Sequence, residues 1–439
     1  MKAQTFSGGI HPSVKQNWKP ITSAESLRFF AASNVAIPMR QHIGRICTPC
    51  VNKGDDVLLG QIIGEPQTPR DVPIHSSVSG KVLTVEERPH AVAGRMLAVI
   101  IENDGQDKMI DSIKPRSIDE VESLTAEQLR EIIRDAGIVG MGGAEFPTHL
   151  KLNVNGRVEF LIINGSECEP SLTGDHRRMI ENAQEVVNGA LLMARACNAE
   201  QCVIGIEGKP DAVEAISKAI VDHGKIRVQA LEEKYPQGSE KMLIDAITKR
   251  EVPAGGLPSA VGCVVCNVSS AVATAEAVYS GKPLFERIVT VTGGVIKPGN
   301  LMLRIGTLFA DAVDFCGGFV SEPQKIVSGG PMMGFAVSGL NVPITKGSGG
   351  ITVFTKADKP MIEQGNCLRC GRCVAACPCR LMPQSINMAY LANRLDLCKD
   401  LRADLCMKCG CCSFVCPAKR HLTQTIDLAK NELAALARR

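Results

Sequence analysis

CLRCGRCVAACP (residues 367–378) and CMKCGCCSFVCP (residues 406–417) repeat one cysteine pattern near the end of this chain. In each run, two-residue spacers separate three cysteines, and a fourth follows after three more residues and precedes a proline. Three thiolates at this spacing wrap one face of a [4Fe–4S] cluster, and the fourth reaches a neighbouring cluster. The runs therefore predict a ferredoxin-like module with two clusters, one held by Cys367, Cys370, Cys373 and Cys416, the other by Cys377, Cys406, Cys409 and Cys412.

Structural zinc is the alternative for cysteines at this spacing. Zinc sites usually pair C-x2-C knuckles in fours, whereas this chain has two complete runs of the longer pattern. Iron–sulfur is therefore the better interpretation. The three remaining cysteines of this region should be bystanders: Cys379, Cys398 and Cys411.

Composition excludes several functional classes. The 439 residues carry a net charge of +3, and aromatic residues make up only 4%. Nucleic-acid binding usually needs a clustered basic face or an aromatic stacking platform, so neither chemistry is expected. No apolar run reaches the roughly 18 residues of a membrane span, and the first residues lack a signal core. These features predict a cytosolic chain without a transmembrane segment.

The first part of the chain reads as a small β domain. VNKGDDVLLGQIIGEP (residues 51–66) and PIHSSVSGKVLTVEE (residues 73–87) alternate apolar residues with glycine turns, which is typical of β-hairpins. The pattern resembles the lipoyl and biotin-carrier fold. No lysine stands at the tip of the relevant hairpin in the usual Met-Lys setting, so a swinging cofactor is not expected.

The middle of the chain alternates helix and strand. A helix with a Thr125 cap should run to Gly137, and buried strands are predicted at residues 158–165 and 201–208. This order implies a largely parallel sheet covered by helices. After it, residues 287–339 read as two strands and a helix in a β-grasp-like unit. The segment TKGSGG (residues 345–350) is either a junction or a functional loop.

Four motifs carry polar groups to the ends of the predicted strands. A glycine loop at residues 137–151 comes first, although a tight turn explains such a loop equally well and it is not a Rossmann fingerprint. The others are INGSECEP (163–170), YPQGSEK (235–241) and VCNVSSA (265–271). Ligands usually bind at this edge of a parallel sheet, and the polar set suits a flavin, although each residue could instead cap a helix or a turn. The candidate residues are Gly140, Gly142, Gly143, Asn164, Glu167, Glu169, Tyr235, Gly238, Glu240, Asn267 and Ser270.

These motifs resemble the flavin-bearing, NADH-oxidising subunit of respiratory complex I. The resemblance implies FMN in the pocket and NADH stacked on the flavin, with Phe146 near the nicotinamide and Lys151 at a matching position. It also implies a β-grasp domain after the flavin domain. Four positions depart from the complex I pattern and affect the expected pocket: Met141 for Arg, Glu145 for Gly, Ser166 for an acid and Ser239 for Glu.

With TFSGGIHP (5–12), IPMRQHIG (37–44), the β-hairpins and the cysteine runs in that order, nearly the whole chain resembles the RnfC family. The family implies an α/β multidomain fold, with a barrel-sandwich domain (1–110), a Rossmann-like FMN/NAD(H) domain (118–286), an SLBB-like β-grasp domain (287–345) and a helical 2×[4Fe–4S] module (355–439). It implies FMN, NAD(H) and two clusters in ferredoxin:NAD⁺ oxidoreduction coupled to Na⁺ or H⁺ export. The expected partners are the other subunits of a membrane-bound Rnf complex and, indirectly, ferredoxin, with the chain peripheral on the cytoplasmic side of the membrane.

Two other functions remain open from the sequence. RnfC-like chains also serve as reductases in corrinoid or amino-acid reductase systems. Alternatively, the flavin pocket is vestigial and the chain is a non-catalytic electron-relay scaffold, which the four departures would explain. Hydride transfer at a flavin demands no general acid or base, so no catalytic side chain is predicted.

Overall fold

The computed structural model describes residues 3–12, 18–143, 145–221, 224–358 and 363–437. Two short antiparallel sheets form the first unit, and their facing apolar residues, among them Ile37, Ile63 and Val99, are fully buried. The predicted barrel sandwich is confirmed. In chain order, the elements up to residue 103 are α1 (Lys19–Thr22), β1 (Arg28–Phe30), β2 (Asn34–Pro38), β3 (Thr48–Pro49), β4 (Asp56–Val57), β5 (Ile62–Glu65), β6 (Ile74–His75), β7 (Gly80–His90) and β8 (Gly94–Asn103).

A four-stranded parallel sheet in the order β11-β10-β9-β12 forms the second unit, and helices cover both of its faces. The packing is close: a side chain at Gly189 would meet the backbone of Ala271 on the neighbouring helix. The elements are α2 (Ile118–Ser123), α3 (Ala126–Asp135), α4 (Thr148–Leu152), β9 (Phe160–Gly165), α5 (Gly174–Glu181), α6 (Ala183–Ala196), β10 (Gln201–Glu207), α7 (Pro210–Ala219), β11 (Ile226–Leu231), α8 (Glu240–Thr248), β12 (Cys263–Asn267) and α9 (Val268–Ser280).

The third unit is a six-stranded mixed sheet in the order β1-β14-β13-β17-β15-β16, packed against one helix. Strand β1 comes from the start of the chain and pairs in parallel with β14. The predicted domain bounds stay predictions, but the sheet draws strands from outside residues 287–345. The new elements are β13 (Glu286–Gly293), β14 (Gly299–Arg304), α10 (Phe309–Phe315), β15 (Pro323–Ser328), β16 (Phe335–Val337) and β17 (Gly350–Thr355).

The cysteine region is helical, as expected. The terminal helix of this region packs against its first long helix. The core between them contains the buried side chains of Ile386, Cys398 and Ile426. The terminal helix is therefore a packed element. The elements are α11 (Arg372–Ala375), α12 (Pro383–Leu391), α13 (Leu395–Asp400), α14 (Cys411–Phe414) and α15 (Leu422–Leu436).

Candidate functional site

The glycine loop is a small hairpin between α3 and α4. Its arms are joined by the N–H of Gly140, which donates to the carbonyl of Phe146 at 2.9 Å, and by the N–H of Glu145, which donates to the carbonyl of Gly140 at 3.0 Å. At the tip, Gly143 has a φ of +93°, and no atom lies within 4 Å of the position that a Cβ would occupy. The tip thus offers bare backbone to a ligand.

Ser270 holds this hairpin through two hydrogen bonds of its hydroxyl group. The N–H of Met141 donates to Ser270 Oγ at 3.0 Å, and the same hydroxyl donates to the carbonyl of Val139 at 3.0 Å. Ser270 lies in the first turn of α9, after the N-cap residue Asn267. Its hydroxyl is therefore engaged in holding the hairpin, which is a positioning role.

The two predicted asparagines lie side by side at the carboxyl ends of neighbouring strands. Asn164 on β9 pairs in register with Asn267 on β12. Asn164 Nδ2 donates to the carbonyl of Gly238 at 2.8 Å, and Asn267 Nδ2 donates to Asp175 Oδ2 at 2.7 Å. A Cβ at Gly142 would lie 3.7 Å from the Cβ of Asn267, so the hairpin tip and this edge of the sheet meet.

Glu167 caps a helix. Its two carboxylate oxygens accept the N–H groups of Asp175 at 2.7 Å and His176 at 2.9 Å in the first turn of α5. A carboxylate is favourable at a helix N-terminus. The pKa of Glu167 is raised to about 7, mainly by burial and secondly by the charge of the neighbouring Asp175.

Lys151 is held by Glu240, since its Nζ lies 2.8 Å from Glu240 Oε1. Burial is the largest influence on the pKa of Lys151 and lowers it, but the charge of Glu240, the Cys266 thiol and the hydrogen bond to Glu240 together outweigh burial, so the pKa is raised. Lys151 therefore stays protonated, in an ion pair with Glu240. Phe146 on the hairpin leaves 37% of its surface exposed, so an aromatic face is accessible.

Tyr235 contacts the cysteine module. Its side chain is buried, and its hydroxyl donates to the carbonyl of Cys409 in the cysteine module at 2.7 Å. Gly238, three residues on, lies beside Cys168, with its N–H 3.2 Å from Cys168 Sγ. The segment that should surround a flavin thus also contacts the second cysteine run.

Three buried polar groups at the same sheet edge were not predicted. Ser166 Oγ, the amide of Gln237 and Glu207 Oε2 have no hydrogen-bond partner among the described protein atoms. Burial of such groups is costly unless something else satisfies them. These unpaired hydrogen-bonding groups lie beside Asn164 and Gly238, as expected of a site in which a polar ligand or water accepts and donates the missing hydrogen bonds. The position of Ser166 and Glu207 at strand ends was the available signal.

The N-terminal SGGIHP segment joins the second unit to the cysteine module. Ile10 and Tyr235 exchange backbone hydrogen bonds of 2.8 and 2.9 Å, and the N–H of Gly9 donates to the carbonyl of Ala376 at 3.0 Å. Both glycines have positive φ, and a Cβ on Gly8 would lie 3.0 Å from the carbonyl oxygen of Cys377. The two glycines thus allow the backbone of the N-terminal segment to pass close to the first cysteine run, a contact that the sequence pattern did not predict.

The first predicted ligand set lines one concavity. Cys367, Cys370 and Cys373 of the first run and Cys416 of the second line this concavity together, with Arg369 and Arg372 at its wall. Cys416 also raises the pKa of Cys373, although burial is the larger cause. The crossed arrangement therefore brings both runs to one space.

The thiols of the second set influence one another electrostatically. Burial is the main reason why the pKa of Cys412 rises to about 12, and the three other thiols of its set add to the rise. Within the described residues, no group of three or more His, Cys, Asp or Glu side chains is arranged to hold a metal ion. Of the predicted bystanders, Cys398 and Cys411 are buried and Cys379 is half-buried.

Comparison with known proteins identifies the family. The model of the Nuo51 FMN-binding domain matches residues 133–276, that of the RnfC barrel sandwich hybrid domain residues 4–106, and that of the SLBB domain residues 288–336. The chain is 46% identical over 444 residues to the C subunit of the Na(+)-translocating ferredoxin:NAD(+) oxidoreductase complex of Acetobacterium woodii, covering 100% of this chain and 99% of that protein. The chain belongs to the RnfC family.

Other RnfC relatives agree. The C subunit of the proton-translocating ferredoxin:NAD(+) oxidoreductase complex of Clostridium ljungdahlii is 45% identical over 99% of this chain and 95% of its own length. The C subunit of an ion-translocating oxidoreductase complex of Rhodobacter capsulatus is 39% identical over 90% and 76%. The predicted family, multidomain fold and role as the RnfC component of an Rnf complex are confirmed, and the FMN-binding domain supports FMN.

Among solved structures, a hydrogenase chain has a fold similar to that of this chain. A crystal structure of NAD⁺-reducing [NiFe]-hydrogenase in the air-oxidized state matches with a TM-score of 0.50 over 76% of this chain and 73% of that chain, at 16% identity. This likeness concerns the fold alone. In the part of the chain that the structure describes, no helix has the length and apolar character needed to cross a membrane.

Proposed function

We propose that this RnfC-family chain carries electrons between NAD(H) and another protein of the Rnf complex through FMN and two [4Fe–4S] clusters. The overall reaction is ferredoxin:NAD⁺ oxidoreduction coupled to translocation of Na⁺ or H⁺. The observation that carries the proposal is the contact of Tyr235 with Cys409, because it joins the flavin-type motifs to a predicted cluster ligand within one chain.

Bound FMN would exchange a hydride with the nicotinamide and single electrons with the clusters. The glycine hairpin leaves open space at Gly143 for close approach of a ligand, and Lys151 supplies an ammonium group that Glu240 keeps in place. Phe146 offers an exposed ring against which a planar group can stack. The other predicted residues of the FMN site would contribute backbone groups or hold neighbouring groups in position at the carboxyl edge of the parallel sheet. They are Gly140, Gly142, Gly143, Asn164, Glu167, Tyr235, Gly238, Asn267 and Ser270.

The proposed cluster sites differ in their surroundings. Cys409 and its set lie at the contact with the flavin domain, whereas Cys370 of the other set is exposed, next to Leu368, which is 67% exposed. We therefore infer that the Cys409 cluster is proximal to the flavin and that the Cys370 cluster faces another protein of the Rnf complex. Ferredoxin would act through that partner, on the cytoplasmic side of the membrane.

Anaerobic purification followed by flavin extraction and by iron and sulfide analysis tests this proposal. The expected result is one FMN and about eight iron atoms per chain, the content of two [4Fe–4S] clusters. Two clusters without FMN would instead favour the relay scaffold. Bound zinc in place of iron would contradict the cluster assignment altogether.

A further inference from the structure

The segment Thr345–Gly350 is joined to the glycine hairpin at three points, two directly and one through Arg287, and neither the cluster sites nor the FMN contacts account for them. It lies within the third unit, in the connection from β16 to β17. Each point involves a side chain that is buried or held by its backbone neighbours.

The first point is the base of the hairpin. Lys346 is 1% exposed, and its Nζ donates to the carbonyls of Gly137 at 2.7 Å and Pro73 at 3.0 Å. A Cβ at Gly137 would lie 2.6 Å from this Nζ, so the amine packs directly on the backbone where the hairpin begins. Burial is the main reason why the pKa of Lys346 falls to about 7. A buried amine in this position is costly, and its two carbonyl partners hold it there.

The second point is the tip. Arg287 is buried, its Nη2 donates to the carbonyl of Met141 at 2.5 Å, and its Nε donates to the carbonyl of Ser348 at 2.9 Å. One guanidinium therefore ties the hairpin tip to the 345–350 segment. Because both acceptors are backbone carbonyls, the tie fixes the path of both loops.

The third point is the returning arm. Thr345 Oγ1 donates to Glu145 Oε1 at 3.3 Å, and the N–H of Gly347 also donates to this carboxylate. Glu145 has a φ of +47°, a left-handed conformation that costs a residue with a Cβ about 1–2 kcal/mol. Strain of this kind persists where surrounding contacts enforce it, and here the carboxylate contacts do so.

We propose that residues 345–350 form a clamp that holds the glycine hairpin in its ligand-binding shape, with Lys346 and Glu145 as positioning residues for the flavin. The inference rests on the proposed function for its ligand. Neither residue needs to touch the flavin, because each acts through the hairpin backbone.

Glu145→Gly separates this role from a general contribution to stability. Glycine removes the left-handed strain and the carboxylate contacts together, so the variant should fold at least as well as the wild type. The clamp predicts about tenfold faster hydrogen exchange of the amides of residues 139–143, 145 and 146 and an FMN dissociation constant raised about tenfold, measured by quenching of flavin fluorescence on the apoprotein. Glu145→Gln keeps an acceptor oxygen and should restore most of both properties.

Two further variants complete the test. Lys346→Met should loosen the same amides and shift the midpoint potential of the bound flavin, while Asn198→Gly, another left-handed position in the same unit with a φ of +52°, should change neither. Wild-type hairpin exchange and FMN affinity in both Glu145→Gly and Lys346→Met would overturn the clamp. Failure of the wild type itself to bind FMN would instead refute the proposed function. In that case, hydrogen exchange of the hairpin amides in the variants, compared with the wild type, would still test the clamp.

Discussion

The hydroxyl of Tyr235 lies 2.7 Å from the carbonyl oxygen of Cys409, to which it donates a hydrogen bond from the flavin domain to the cysteine module. The side chain is buried, so water cannot replace the bond. Since Cys409 belongs to the proposed proximal cluster, this contact sets how the two redox sites face each other.

Tyr235→Phe should weaken that junction. The carbonyl of Cys409 loses its buried donor, at a cost of about 1–3 kcal/mol. We expect a lower unfolding temperature and slower reduction of the clusters by NADH in stopped-flow measurements. Tyr390→Phe is the matched control, since it removes an exposed hydroxyl bond to Glu432 within the module. Equal rates in both variants would contradict the role of Tyr235.

Gly9→Ala should disrupt the bridge formed by the SGGIHP segment. A Cβ at Gly9 would lie 2.6 Å from the carbonyl oxygen of Tyr235, and the residue has a φ of +81°. Gly94→Ala has a similar φ of +71° but no atom within 4 Å, so it measures the conformational cost alone. Thermal unfolding should show a larger loss for Gly9→Ala, and limited proteolysis should cut it near the module. A loss no larger than that of Gly94→Ala would argue against the bridge.

The crossed ligand sets predict opposite effects for the fourth cysteines. Cys377→Ser should damage the cluster held mainly by the second run, and Cys416→Ser the cluster held mainly by the first. EPR spectra of the dithionite-reduced variants would show which signal is lost. Cys398→Ser, at a buried position outside both sets, should retain both signals. Loss of the opposite signal in each variant would refute the crossing.

Glu169 makes stability depend on pH. Burial raises its pKa from 4.5 to about 7, more than offsetting the N–H groups of Met332 and Met333 that its carboxylate accepts. Between pH 4.5 and pH 7 the Glu169 carboxyl is ionised in the unfolded chain but protonated in the folded chain. The contribution of Glu169 to the free energy of unfolding therefore falls as pH rises from 4.5 to 7, and it stays constant above pH 7.

Glu169→Gln should therefore match the wild type near pH 4.5 and exceed it at pH 8, by up to about 3 kcal/mol from the size of the shift. Unfolding temperatures across this range provide the measurement. The same substitution at the exposed Glu251 should leave the wild-type profile unchanged. A variant less stable than the wild type at pH 8 would show that folding does not raise the pKa of Glu169.

Local patterns predicted much of this fold because they act over short stretches. Thr125 caps α3 as expected, in a reciprocal arrangement with Gln128. The apolar runs of β9 and β10 became buried parallel strands. Both depend on neighbours within a few residues, which the sequence displays directly.

Long-range contacts were harder to predict. Strand β1 pairs with β14, about 270 residues later, and nothing in its three residues specifies that partner. The direction of the Tyr235 hydroxyl and the burial of Lys346 likewise follow from tertiary packing. The predicted FMN contacts and cluster ligands stay predictions, but the fold places many of them at one sheet edge or around one concavity.

Anaerobic titration with NADH, followed by visible absorption and EPR, tests the central claim most directly. The purified chain carrying FMN and both clusters should lose flavin absorbance and develop the signals of reduced [4Fe–4S] clusters on addition of NADH, without any other protein of the complex. A chain that holds both clusters but shows neither flavin bleaching nor cluster reduction with NADH would contradict the account.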